Sequence, residues 1–203
     1  DFDVLKRPEQ AREYLDISKL ELERLTLLVD KVLRLSMFEE KQPRLQLEPL
    51  DFPALVGQVL NAMRLQAESV GAEIHFETEK NLPSVNGDRL HLTSVVFNLV
   101  DNALKYRRKD APVISLTLKD SIQNGKKIVT LIIQDNGIGI AQEYQSKVFE
   151  KFFRVPAGNV HNVKGHGLGL SYVANVLRQH GGNIRVESEE GKGSRFVVEL
   201  PVS

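Results

Sequence analysis

The sequence lacks cysteine and tryptophan entirely and has only two methionines among 203 residues. Without cysteine, disulfide bonds and cysteine-based metal sites are excluded. Lysine plus arginine and aspartate plus glutamate both number 27, so the formal net charge is zero. The sequence therefore lacks the basic excess that is typical of nucleic-acid-binding domains, and we expect no nucleic-acid partner.

Long apolar segments are also missing. No run approaches the roughly 20 residues that a membrane-spanning helix needs, and the chain does not open on a signal peptide. We therefore expect no direct membrane contact by this chain, while a membrane segment in a longer parent protein stays open.

The composition of residues 9 to about 41 predicts one long helix. The segment contains no glycine or proline and is rich in strong helix formers, and Pro8 and Pro43 suit its two ends. Its apolar positions form a broad heptad-like stripe, which includes Leu15, Leu22, Leu25, Val29 and Val32. A stripe this broad needs partner helices, and no second long helix follows. The partner is thus expected to be missing or to belong to another chain, with packing on its own domain as the alternative.

The segment from residue 44 to residue 203 mixes strand and helix patterns. Strands are predicted at 44–48, 73–78, 113–118, 128–133, 183–187 and 194–200. Helices are predicted at 52–70, 89–107 and 168–180, with Asp51 and Asp88 as N-caps and His180 as a cation suited to a helix end. The predicted fold class is α+β: a two-layer sandwich of one mixed β-sheet with helices on one face, preceded by one long α-helix. Residues 1–43 and 44–203 are the two expected domains.

The predicted helix at 89–107 carries a polar stripe. Asn98, Asn102 and Lys105 follow the i, i+4, i+7 spacing of one helix face, and Asp101 lies beside them. The neighbouring apolar residues are expected in the core: Leu92, Val95, Val96, Phe97, Leu99 and Val100. An amide oxygen together with phosphate oxygens suits Mg²⁺, and a lysine can meet a phosphate as a point charge. The alternative is an amphipathic helix with a wet face, and the basic run 105–109 fits a solvated helix end.

Two glycine-containing segments follow. In the first, an apolar strand ends at Asp135, and Gly137 and Gly139 come directly after it. A carboxylate there can accept from an exocyclic amine such as that of adenine, and glycines let the backbone approach a flat ligand. A plain Asn-Gly turn is the alternative.

In the second segment, Gly165, Gly167 and Gly169 precede a helix, an arrangement that favours anion binding by free backbone N–H groups. The spacing is not the dinucleotide-binding fingerprint, and no P-loop sequence occurs. The connection between the two segments, residues 136–166, is long and polar, which is typical of functional or mobile loops.

Taken together and in this order, these motifs resemble the histidine kinase catalytic domain of the gyrase and MutL-like ATP-binding superfamily, which has a Bergerat-type fold. The resemblance covers roughly residues 44–203. The segments similar to the family's asparagine, first glycine, phenylalanine, second glycine and third glycine boxes are residues 98–106, 135–139, 149–154, 165–170 and 191–196.

The resemblance implies roles for individual residues. Asp135 would read the adenine amine, Asn102 would be the Mg²⁺ ligand, Asn98 and Lys105 would lie near the phosphates, and Tyr106 near the base. Further ATP contacts are expected from Gly137, Gly139, Ile140, Gly165, His166, Gly167, Leu168, Gly169 and Ser194. Residues 136–166 would form the ATP lid, anchored by Phe149, Phe152 and Phe153, although these aromatics fit ordinary core contacts equally well. His166 replaces the usual Thr or Ser, and Ser194 replaces a usual Thr but keeps its hydroxyl.

The resemblance favours phosphoryl transfer over hydrolysis. ATP-hydrolysing relatives carry a glutamate one helical turn before the metal-binding asparagine, and here that position is Asn98, whose amide cannot accept a proton. Residues 1–43 resemble the second helix of a dimerisation hairpin but contain no histidine, so the chain itself holds no phosphoacceptor and no catalytic residue is assigned.

We therefore predict ATP and Mg²⁺ as cofactors, a response regulator as partner, and a dimer through the long helix. The location would be cytoplasmic, as part of a membrane-anchored sensor, and the chain alone would not phosphorylate itself. Alternatives are a nucleotide-sensing adaptor, an anti-sigma-type serine kinase and a gyrase-type ATPase.

Overall fold

The computed structural model describes residues 45–108, 110–123, 125–156 and 167–202, together with the isolated positions Tyr14, Ser18 and Glu21. The chain divides into two compact units, Asp1–Arg44 and Leu45–Ser203. The three described residues of the first unit are helical and exposed, as the sequence predicts for them. The rest of the predicted long helix, including its apolar stripe, lies outside the described residues.

The second unit contains seven strands and four helices among its described residues. The strands are β1 (Glu48–Leu50), β2 (Glu73–Thr78), β3 (Val85–Gly87), β4 (Val113–Gln123), β5 (Lys126–Asp135), β6 (Asn183–Glu189) and β7 (Gly193–Pro201). The helices are α1 (Phe52–Ser69), α2 (Arg89–Lys105), α3 (Gln142–Gln145) and α4 (Gly169–Gln179), and Lys147–Phe149 form a 3₁₀ turn.

Five strands form one mixed sheet in the order β2-β4-β5-β7-β6. Only β2 and β4 pair in parallel; β4–β5, β5–β7 and β6–β7 are antiparallel. Strands β1 and β3 form a separate antiparallel pair. Helices cover one face of the large sheet, so the predicted α+β sandwich is confirmed.

The core lies between the sheet and the helices. Residues Ile114, Leu116 and Leu118 alternate along β4 with side chains almost completely buried, as expected for a strand with one face against helices. Their cross-strand partners on β5 include Leu131 and Ile133, which are equally buried. This sheet face extends to Asp135, which pairs with Ile114 at the end of β5. The carboxylate of Asp135 therefore lies at the edge of the hydrophobic core.

Both predicted N-caps are confirmed. The Asp51 carboxylate accepts from Ala54 N–H at 3.0 Å, and the Asp88 carboxylate accepts from His91 N–H at 3.1 Å. Asp88 also accepts from Gln46 N–H at 2.9 Å. Burial would raise the pKa of Asp88, but these backbone N–H groups prevail and hold it below its ordinary value. Asp88 therefore ties residues 45–47 to the start of α2.

His180 differs from the prediction of a cation at a helix end. Its side chain is buried, and its Nε2 accepts from Asp88 N–H at 2.9 Å while Nδ1 lies 2.8 Å from the Val176 carbonyl oxygen. A neutral ring with its proton on Nδ1 satisfies both partners. The residue is thus a buried bridge between the end of α4 and the start of α2, because no charged ring could accept from Asp88.

We expect His180→Ala to lower the free energy of unfolding by about 1–3 kcal/mol, because it leaves the buried Asp88 N–H without an acceptor. Urea denaturation followed by circular dichroism measures this. His75→Ala is the matched control, since the His75 side chain is 59% exposed on β2. Equal denaturation midpoints for the two variants would contradict the bridging role.

Several local expectations are wrong. The first strand lies at 48–50 rather than 44–48, and β3 was not predicted because three residues carry too little pattern. Phe97 is 44% exposed instead of buried, whereas the other five apolar residues expected in the core of α2 are buried. Helix α3 and the 3₁₀ turn, which were not predicted, lie in the first part of the 136–166 connection. None of the described helices is long and apolar enough to cross a membrane.

Candidate functional site

Asn98 faces the beginning of α4. Its Nδ2 donates to the Ser94 carbonyl at 2.8 Å, which leaves Oδ1 directed towards Gly169, where an added Cβ would lie only 2.8 Å away. A side chain at position 169 would therefore displace the Asn98 amide. No side chain among the described residues caps α4. Its first-turn N–H groups are thus suited to bind an anion beside Asn98.

The rest of the polar stripe on α2 divides into two parts. The Lys105 ammonium lies 2.5 Å from one carboxylate oxygen of Asp101, and the other accepts from the Gln66 amide at 3.1 Å. In contrast, no hydrogen bond to the half-buried Asn102 side chain is found within the described part of the chain. Lys105 is therefore already paired, while the Asn102 amide is available to a ligand.

Asp135 lies at the end of β5 with one carboxylate oxygen held in place. Its Oδ1 accepts from Gly137 N–H at 2.8 Å and from Ser194 N–H at 3.3 Å. Burial raises the pKa of this carboxyl, and the two backbone donors only partly offset that effect. Among the described residues no donor reaches Oδ2, which leaves this oxygen for a ligand.

The segment after Asp135 packs closely against its surroundings. A Cβ at Gly137 would lie 2.5 Å from the Tyr106 carbonyl oxygen, and Gly139 leaves equally little room beside the Glu189 carbonyl. Ile138 N–H donates to the Tyr106 carbonyl at 3.0 Å. The predicted glycines are thus needed because main chain contacts main chain on both sides of this segment.

Gly193 and Gly191 allow a matched test of this packing. Both have positive φ, 103° and 80°, but an added Cβ would collide with the Asp135 carbonyl only at Gly193; nothing lies within 4 Å at Gly191. We expect Gly191→Ala to cost about 1–2 kcal/mol of stability, from backbone strain alone, and Gly193→Ala about 1–3 kcal/mol more, from overpacking. Urea denaturation compares them, and equal costs would contradict the close approach at Gly193.

Two residues that sequence reasoning missed hold Ile140. Ser188 Oγ accepts from Ile140 N–H at 2.7 Å. The Gln145 amide donates to the Ile140 carbonyl at 3.0 Å and to the Ser188 carbonyl at 2.6 Å. Ser188 lies in an ordinary alternating strand and Gln145 in a short helix, so neither carries a signal that could have found it.

The basic run after α2 also has partners. Arg107 donates to the Leu104 carbonyl at 2.8 Å, as expected of a cation at a helix end. Arg108 donates to the Gly191 carbonyl at 2.7 Å and so spans from the end of α2 to the β6–β7 turn, beside the glycine segment. The solvated-end interpretation therefore holds for Arg107 but is incomplete for Arg108.

The phenylalanine segment meets the residues before α4. Phe152 N–H donates to the Gly167 carbonyl at 3.0 Å, and the Phe153 ring lies 5.9 Å from the Tyr144 ring, centroid to centroid. Phe152 is 53% exposed and has a φ of 64°, which is rare and strained for an aromatic residue. Core packing thus does not explain Phe152.

The structure brings most of the predicted site residues to two places. Asn98 and Gly169 meet where α4 begins, with Asn102 one turn further along α2, and Gly167 and Leu168 precede them. Gly137 and Ser194 bind Asp135 directly. The Tyr106 carbonyl contacts the segment that follows Asp135, and Gly139 and Ile140 in that segment pack against Glu189 and Ser188. Lys105 instead pairs with Asp101. Gly165 and His166 lie outside the described residues.

The side chains present fit a magnesium ion only together with a phosphate ligand. No group of three or more histidine, aspartate or glutamate side chains in the described part of the chain is arranged to hold a metal. The unpartnered Asn102 amide supplies one oxygen, and Mg²⁺ characteristically completes its shell with phosphate oxygens and waters. The donor set therefore suits a nucleotide-bound ion.

Comparison with known proteins agrees with this arrangement. Residues 87–203, more than half of the chain, match the family described as histidine kinase-, DNA gyrase B-, and HSP90-like ATPase. The sensor protein RprX of Bacteroides fragilis is 39% identical over 199 residues; the match covers 98% of this chain but only 38% of RprX.

Two solved structures are also similar. Full-length ShkA in complex with AMPPNP matches with a TM-score of 0.73 and 29% identity, over 96% of this chain and 39% of ShkA. Histidine kinase ThkA in complex with the response regulator TrrA matches with a TM-score of 0.69 and 26% identity, over 97% of this chain and 52% of that chain. The chain therefore belongs to the histidine kinase-, DNA gyrase B-, and HSP90-like ATPase family, and its predicted identity as the ATP-binding catalytic region of a sensor histidine kinase is confirmed.

Proposed function

We propose that this chain transfers the γ-phosphoryl group of magnesium-bound ATP to a histidine on a dimerisation helix, for relay to a response regulator. The chain spans only 38% of the length of RprX, so the activity of a whole protein is inferred from this part. The division into a partial helical hairpin, residues 1–43, and a catalytic domain, residues 44–203, belongs to the same proposal.

The observation that carries the proposal is the environment of Asn98. This residue occupies the position of the hydrolytic glutamate implied by the resemblance, and its amide is fixed between Ser94 and Gly169. An amide there cannot take a proton from water. The nearest carboxylate on α2, Asp101, is occupied by Lys105 and Gln66. Among the described residues, α2 thus offers no free carboxylate near Asn98 to act as the general base for hydrolysis.

The remaining groups suit positioning of a nucleotide. The open Oδ2 of Asp135 would accept from the adenine amine, and the uncapped N-terminus of α4 would bind phosphate oxygens. Asn102 would hold Mg²⁺, which supplies charge neutralisation to the phosphates. Lys105 can reach a phosphate only by exchanging its Asp101 partner. Fixing the γ-phosphoryl group in line with an acceptor is most of what such a transfer requires.

Partners follow from the same proposal. Histidine kinase ThkA forms a complex with a response regulator, and we infer a regulator of that kind for this chain. A dimer through the 9–41 helix and a cytoplasmic location, as part of a membrane-anchored sensor, are also inferred. Each depends on the histidine kinase function rather than on a contact described above.

Calorimetry and mass spectrometry on the chain test the function. We expect saturable binding of ATP that requires Mg²⁺, phosphate release no faster than background, and no phosphohistidine on the chain. Adding a helical hairpin that carries a histidine followed by glutamate should give acid-labile phosphate on the hairpin.

The possible outcomes separate the alternatives. No heat and no shift in melting temperature with ATP and Mg²⁺ would refute nucleotide binding. Steady phosphate release would favour a gyrase-type ATPase. Stoichiometric phosphohistidine on the chain itself would contradict the absence of an acceptor, and binding without transfer would favour a nucleotide-sensing adaptor.

A further inference from the structure

The Ser188 hydroxyl has all of its hydrogen-bonding capacity in use. A serine hydroxyl can donate once and accept twice. Ser188 Oγ donates to the Gly193 carbonyl at 2.8 Å, accepts from Ile140 N–H at 2.7 Å, and lies 3.0 Å from Ser194 Oγ. Because its only proton is directed at Gly193, Ser188 must accept in the third contact.

This assignment fixes the direction of the neighbouring hydroxyl. Ser194 has to donate its proton to Ser188, so the free lone pairs of Ser194 Oγ can only accept. Ser194 N–H meanwhile donates to Oδ1 of Asp135 at 3.3 Å. The same residue therefore holds Asp135 with its backbone and presents a hydroxyl acceptor next to it.

Asp135, Ser188 and Ser194 are also close together around one cavity. A cavity of about 200 Å³ is lined by nine residues that include Asp135, Ser188 and Ser194. Two acceptors, Asp135 Oδ2 and Ser194 Oγ, belong to this wall, and among the described residues Ile140 N–H has no acceptor other than Ser188. The lining also includes three side chains that can donate. Lys192 and Arg195 are paired with Glu189 and Glu187, and Gln134 alternates with Asp135 along β5 and so belongs to the opposite face of the sheet. An amine on a ligand beside Asp135 and Ser194 would therefore meet two acceptors.

We propose that Ser188 is a positioning residue for base selection: it holds the Ser194 hydroxyl as an acceptor and fixes Ile140, so that the site favours a purine with an amine at position 6. This inference rests on the proposed nucleotide-binding function and on the adenine-reading role of Asp135. Removing the Ser188 hydroxyl frees the Ser194 proton to turn towards the ligand, where it can donate to a carbonyl.

The test compares binding of ATP and inosine triphosphate, which differ at position 6 of the base, by calorimetry with Mg²⁺. We expect Ser188→Ala to weaken ATP binding about tenfold, because the acceptor that Ser194 offers to the amine is lost when its proton turns, and to weaken inosine triphosphate binding less than about threefold. The preference for ATP over inosine triphosphate should therefore become smaller. Ser121→Ala on β4, in the same sheet but near its hairpin end, is the matched control and should change neither affinity.

A second variant keeps the test independent of folding. Ser194→Ala removes the oriented acceptor directly and should reduce the preference for ATP over inosine triphosphate to the same extent. The double variant should then add nothing, because Ser188 acts on the base through Ser194.

An unchanged ATP preference in Ser188→Ala or in Ser194→Ala would overturn the inference while leaving nucleotide binding intact. A wild-type chain that bound neither nucleotide would instead refute the proposed function and this inference with it.

Discussion

Asn102→Ala is expected to reduce magnesium-dependent ATP binding at least about 100-fold, because even loss of an outer-shell partner of a metal site costs 10–100-fold. Asn102 lies on α2 one turn after Asn98, and no hydrogen bond to its side chain exists among the described residues. Removing it therefore breaks no hydrogen bond in the described part of the ligand-free fold. Alanine is also the better helix former, so stability should stay the same or rise by up to about 0.7 kcal/mol.

Calorimetry with and without Mg²⁺ measures this effect. The variant should bind ATP no better with Mg²⁺ than without it. Asn61→Ala, an exposed asparagine in the middle of α1, is the matched control and should bind like wild type. Unchanged affinity of Asn102→Ala for ATP with Mg²⁺ would refute the metal-binding role.

Asp135→Asn is expected to weaken ATP binding about 100-fold, since a hydrogen bond to a charged group is lost and replaced by two opposed donors. Asparagine keeps one acceptor oxygen, which can still receive the N–H groups of Gly137 and Ser194. Its Nδ2 would replace Oδ2 and face the adenine amine. Binding of inosine triphosphate should fall much less, and equal loss for both nucleotides would count against Asp135 as the base-reading residue.

The same substitution should raise the melting temperature of the ligand-free chain at pH 7. Burial raises the pKa of Asp135 in the folded state above its unfolded value, so the folded chain holds this proton more tightly than the unfolded chain. Stability is therefore lost as pH rises through the window between the two pKa values, and wild type bears the full cost at neutral pH. Asparagine has no charge to bury.

Thermal denaturation across a pH series measures the direction of this pH dependence of stability. The difference in melting temperature between Asp135→Asn and wild type should be largest near neutral pH and shrink in acid, where both forms are uncharged. Asp120→Asn on β4, away from the site, is the control and should show no such trend. A lower melting temperature for Asp135→Asn at pH 7 would show that its two backbone hydrogen bonds need the charge.

Local signals in the sequence predicted most of the fold. Asp51 and Asp88 cap their helices because a carboxylate before a helix has few better partners than its first-turn N–H groups. Strand alternation located β2, β4, β5, β6 and β7. Phe97 was misjudged because position 97 falls outside the arc that Leu92, Val96 and Leu99 share on α2.

The sequence predicted those parts of the site that a local motif encodes. It did not predict the parts that depend on contacts between residues far apart in the chain. Glycines around Asp135 and before α4 carry a recognisable spacing. The contact between Ile140 and Ser188 joins residues 48 positions apart, and His180 meets Asp88 across 92 positions. No period or spacing along the chain predicts such pairs. The burial of His180 and the hydrogen bonds of Ser188 could therefore be identified only from the folded structure.

Helix α4 contacts the start of α2 through His180 and Asp88 and the middle of α2 through Gly169 and Asn98, and the two helices therefore run in opposite directions. The partial positive end of the α4 macrodipole thus lies beside the middle of α2, about two turns before the partial negative end of the α2 macrodipole. A phosphate at the start of α4 and a cation near Asn102, close to the end of α2, would each meet the matching sign. The paired helices thereby give this region a built-in electric polarity that parallels the polarity of a metal–triphosphate complex, before any side chain contributes its charge.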